Sequence, residues 1–93
     1  MSQSLSELIR IFRRIRIAAR GANSLAELQP AIRQIRSDLA KIANSRVRAQ
    51  ALGMFGETVR ALRRIPKDTP NQLSEPFHRG VTELIDYLTH SDE

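Results

Sequence analysis

The stretch "SLSELIRIFRRIRIAARG", residues 4–21, decides the fold. It opens on Ser4 with Glu7 three residues later. In that pattern a hydroxyl at the N-cap accepts from a helix amide and the acid reaches back. Leu5, Leu8, Phe12, Ile15 and Ala19 then recur at spacings of 3, 4, 3 and 4. At about 3.6 residues per turn this draws one apolar seam along a helix. Gly21 stands where a left-handed stop is expected, just past a helix end.

The same grammar repeats at once. "SLAE" at 24–27 is a second capping box, and its seam is Leu25, Leu28, Ile32, Ile35, Leu39 and Ile42. Two such seams joined by a few residues predict an antiparallel helical hairpin. Pro30 lacks a backbone donor, so either a kink or a helix starting near Pro30 is expected. A third seam, Leu52, Phe55, Val59 and Leu62, is one residue out of step with the second. The break is therefore expected near Asn44–Ser45. A loop over "PKDTPNQ", residues 66–72, precedes a fourth helix with Ser74 as cap and Pro76 in its first turn. Phe77, Val81, Leu84 and Leu88 form the last seam. The expectation is an all-α single domain over 1–93: a small bundle of four helices at about 4–20, 24–43, 46–65 and 74–90.

Composition narrows the function. The chain has 93 residues, 41% of them hydrophobic, enough for one modest core and little room for a buried catalytic cavity. It has no cysteine, which removes disulfides and thiolate metal sites. No apolar run approaches the roughly 20 residues of a membrane span. P-loop, GxGxxG and HExxH patterns are absent. His78 and His90 lie twelve apart and do not share a metal-binding face. Glu83 and Asp86 are better suited to pairing with arginines of the first or third helix than to acid–base work. A non-enzyme without metal or cofactor, placed in the cytoplasm, is the expectation.

Charge gives the positive signal. Residues 1–67 hold 14 basic and 4 acidic residues (+10), and residues 68–93 hold Arg79 against six acids (−5), which sums to the net +5. Thirteen of the 15 basic residues are arginine. Arginine suits forked contacts to phosphate, although a GC-rich coding sequence gives the same bias. On a wheel of about 100° per residue, Arg10, Arg13, Arg14, Arg16 and Arg20 are assigned to the side away from the first seam. Ile9 and Ile17 fall among them. On the third helix Ala49, Gly53, Gly56 and Arg60 share a side, flanked by Arg46, Arg63 and Arg64. Each internal glycine costs a helix about 1 kcal/mol relative to alanine. A close approach by another helix or by a phosphate strand would offset that cost.

These residues define a candidate nucleic-acid surface of nine arginines, with Ile9, Ile17, Ala49, Gly53 and Gly56 as a candidate partner interface. The three phenylalanines and one tyrosine are mostly claimed by the seams, so grip on the backbone is expected in preference to base stacking. The expected role is a small subunit or accessory factor that binds nucleic acid without strong sequence readout. The alternative is a protein adaptor or homo-oligomer with no nucleic-acid contact, and self-association or a protein partner is expected in either case. Membrane-surface binding is disfavoured, because the first seam is needed for packing and no tryptophan marks an interfacial edge.

Overall fold

Ser4 accepts the Glu7 amide at 3.2 Å and starts α1, Leu5–Ala18. The computed structural model describes residues 4–22, 24–66 and 73–91. Ser24 caps α2, Leu25–Leu39, in the same way, and its hydroxyl also donates to the Glu27 carboxylate at 3.3 Å. Asn44 caps α3, Ser45–Arg63, accepting from the Arg46 and Val47 amides. The final helix is α4, Ser74–His90. Helix accounts for 84% of the described residues, and none of them is in a strand.

Neighbouring helices run antiparallel. Along α1 and α4, Leu5 and Ile9 lie by Thr89, Arg16 bonds Thr82, and Arg20 lies by Ser74 and His78. Along α3 and α4, Met54 and Ala61 share a groove with Glu83 and Pro76. The start of α2 lies against the end of α3, where Leu25 and Gln29 meet Leu62 and Ile65. The bundle is therefore up-down-up-down, 42 Å long and 21 Å across. Packing is closest where α4 meets α3 and α1, and the α1–α2 contact is the slightest of the four adjacent pairs. The expected hairpin exists, but α4 and not α2 is the main support of α1.

All four seams face the core. Leu8, Phe12, Leu28, Ile35, Leu39, Leu62, Leu84 and Leu88 are buried, and Leu5, Ile15, Leu25 and Leu52 pack at its margin. Phe55 and Phe77 meet edge to face, with centroids 6.5 Å apart. α3 starts where expected, at Ser45 with Asn44 as its cap, but α2 ends at Leu39, four residues short of the expected 43. Lys41 and Ile42 amides fold back to the Asp38 and Leu39 carbonyls, Ile42 stays buried, and Arg48 donates to the Ile42 carbonyl at 2.8 Å.

Four local expectations are corrected. Gly21 does not adopt a left-handed conformation. The chain instead tightens into a 3-10 turn, Ala19–Gly21, whose Ala19 carbonyl accepts from Ala22. Of the two alternatives at Pro30, the helix starting there is the one overturned. The helix begins at Leu25 and carries the proline inside it. Pro30 and Ala26 are both exposed, so the carbonyl left without its donor lies at the surface. Ser74 is not the cap of α4 but its first helical residue. Leu73 holds the cap position in a helical conformation, without a side-chain bond, and its buried side chain fixes the entry of the helix. The glycine that needs a close approach is Gly80, not Gly53 or Gly56. A Cβ on Gly80 would collide with the Thr58 side chain of α3, whereas nothing lies within 4 Å of one on Gly53. A Cβ on Gly56 would meet only Arg60 of its own helix, at 3.8 Å. Beyond Pro66 the expected 66–72 loop lies outside the described residues.

The two environments predict opposite signs for one substitution. Gly80→Ala should destabilise by about 1–3 kcal/mol through overpacking. Gly53→Ala, exposed and unobstructed, should stabilise by up to about 1 kcal/mol. Urea midpoints of both variants check this. Ile35→Ala and Leu39→Ala, fully buried, should each cost about 2–5 kcal/mol in the same measurement.

Candidate nucleic-acid interface

The exposed arginines of this region are Arg10, Arg13 and Arg14 on α1 and Arg20 in the 3-10 turn after it. Ile17 stands among them with 67% of its surface exposed. Arg16 is not part of this face. It lies eleven residues, about three turns, after Leu5 and so returns to the edge of the seam. There its Nη1 donates to Thr82 Oγ1 at 2.9 Å, and Thr82 in turn donates to the His78 carbonyl at 2.8 Å. Ile9, seven residues earlier, is half-buried and packs on the core margin. The wheel had placed both on the outer side, whereas they border α4.

The outer side of α3 presents Arg46, Ala49, Gly53, Arg60 and Arg64, all exposed. The exposed Arg63 borders the α2–α3 groove, and Gly56, seven residues before it, lies two turns back on the same side of α3. Arg60 is engaged within its own helix, 3.6 Å from Glu57 and donating to the Gly56 carbonyl. No neighbouring helix approaches Gly53 or Gly56, so packing does not offset their helix cost.

Sequence reasoning missed two residues here. Arg33 and Arg36 of α2 are exposed. They follow Gln29, which lines the α2–α3 groove, by about one and two turns, so they lie on that same side. The signal was present: both flank the seam residues Ile32 and Ile35 on their α3 side. A second missed group is Asp38, 2% exposed and bonded by Gln34 Nε2 at 2.9 Å.

Few of the arginines have a carboxylate partner among the described residues. Among the described residues only Arg60 and Arg79 come within 4 Å of a carboxylate, each inside its own helix. The expected pairing of Glu83 and Asp86 with arginines of α1 or α3 does not occur among the described residues. Such exposed pairs add at most about 1 kcal/mol in any case. The acids gather instead around α4: Glu57 and Glu83 flank the α3–α4 groove, and Glu75 lies by the α1–α4 groove.

An apolar pocket of about 480 Å³ sits between the start of α2, the end of α3 and Leu73. No group of three or more metal-ligating side chains assembles among the described residues. No helix among them is long and apolar enough to cross a membrane. What the geometry defines is a basic helical bundle. No protein-family model, curated protein or solved structure matches the chain.

The placement of the two isoleucines separates their roles. Ile17→Ser should leave the urea midpoint within about 0.5 kcal/mol of the parent. Ile9→Ser, at the packed margin, should cost at least about 1 kcal/mol.

Proposed function

We propose that this protein binds the phosphate backbone of nucleic acid, without catalysis and without strong base readout, as an accessory factor. The observation that carries the reading is the set of exposed arginines that meet no carboxylate among the described residues: Arg10, Arg13 and Arg14 on α1, Arg20 in the turn after it, and Arg33, Arg36, Arg46, Arg63 and Arg64 on α2, α3 and its C-cap. A surface arginine forked onto phosphate releases condensed counterions, so affinity comes from charge and position, not from sequence. The buried phenylalanines are not available as stacking platforms. Ile17 adds an apolar contact beside the α1 cations, suited to a sugar edge or to a neighbouring protein in an assembly.

Fluorescence anisotropy of labelled duplexes across a salt series tests this. Affinity should fall steeply as salt rises and differ little between unrelated sequences of equal length. Arg13→Gln with Arg14→Gln should flatten the slope of log affinity against log salt by up to about one unit per lost contact. Binding that is absent at low salt, or indifferent to salt, removes the proposal.

A further inference from the structure

α1 and α3 do not share an edge of the bundle. Each packs against α4 on one side and against α2 on the other, so they occupy diagonal corners. Their outward sides therefore face away from each other across the 21 Å width of the molecule. The free arginines divide accordingly. Arg10, Arg13 and Arg14 form one surface on α1, with Ile17 about one turn further along and Arg20 in the turn that follows. Arg46 and Arg64 on α3, with Arg63, Arg33 and Arg36 along the α2–α3 groove, form the other.

What lies between the two surfaces is not basic. On the α4 side run Glu75, Glu83 and Asp86, with Arg79 held by Glu75. On the α2 side, the exposed Glu27 and Gln34 lie on the flank away from the α2–α3 groove, and Gln34 bonds the buried Asp38. A single duplex lying along one surface would have to cross an acidic or neutral strip to reach the other. Continuous wrapping is unfavourable, and each surface is left to its own segment of backbone.

From this separation we infer that the bundle bridges two nucleic-acid segments, one on α1 and one on the α2–α3 face. The inference rests on the backbone-binding reading above and extends it from attachment to cross-linking. The α2–α3 face carries five free arginines and an unobstructed helix surface at Gly53, and is the stronger site. The α1 face is shorter and supplements its charges with Ile17.

The experiment uses a biotinylated duplex on beads, a fluorescent duplex of equal length, and the full chain at low salt. The parent protein should retain the fluorescent duplex on the beads. Two variants are compared, Arg10→Gln/Arg13→Gln/Arg14→Gln and Arg33→Gln/Arg36→Gln/Arg63→Gln/Arg64→Gln. All these side chains are exposed, and circular dichroism verifies that both variants fold. Each variant should still bind a single duplex by anisotropy, because one face is intact. Retention of the second duplex should fall at least about tenfold in each, since every bridge needs both surfaces. Parent protein that binds single duplexes but retains no second one overturns the inference and leaves backbone binding standing. Retention that survives in either variant also overturns it, because self-association or one continuous surface would then form the bridge. Parent protein that binds no duplex at all overturns the backbone-binding reading itself, a distinct result.

Discussion

Burial on two sides of α4 holds the bundle together. Phe77, Gly80, Val81, Leu84, Ile85 and Leu88 cover an arc wider than a single seam, because α4 must pack on α1 and α3 at once. Gly80 lets α3 come close enough for Thr58 to lie directly against its backbone, while Thr82 on the opposite flank receives Arg16 from α1. Close packing of this kind tolerates little change in volume. With α4 in place, α1 and α3 are held apart at diagonal corners, and α2 closes the remaining side. The separation of the two arginine surfaces follows from that arrangement.

Much of the local structure was legible in the residues. Hydroxyl caps at Ser4 and Ser24 and the four seams depend on spacing alone, and the structure forms them as read. The phase slip after Ile42 located the α2–α3 break for the same reason. What was not legible depended on partners distant in sequence. Gly80 looks like any helical glycine until Thr58 is across from it, whereas Gly53 looks like a packing site until no neighbour arrives. Ile9 and Arg16 were misplaced because the apolar arc was judged against one neighbour, when α1 packs mainly against another. Leu73 fixes the start of α4 by burial, a contribution that capping preferences do not encode.

The candidate surface was half legible. Clustered arginines announced themselves on α1 and α3, but Arg33 and Arg36 belong to the α3 face only once α2 lies beside it. Nor did the charge balance reveal where the acids go. The −5 segment allowed internal pairing with the basic helices, yet no carboxylate of α4 pairs with a described arginine of another helix, and Glu75, though beside Arg20 in the α1–α4 groove, pairs with Arg79 of its own helix. Arginines that stabilise nothing measurable in the fold are the ones a partner can engage without cost to folding.

The choice of cation has a regulatory consequence. Both surfaces are built from guanidinium groups, and the only lysines of the chain are Lys41 and Lys67. A guanidinium stays charged throughout the physiological pH range and is not a target of acetylation. The charge of these surfaces is therefore fixed when the chain is made. A lysine acetyltransferase cannot discharge them. Under the proposed backbone binding, release comes from ionic strength, from a competing anion, or from methylation that blocks the fork of the guanidinium while keeping its charge.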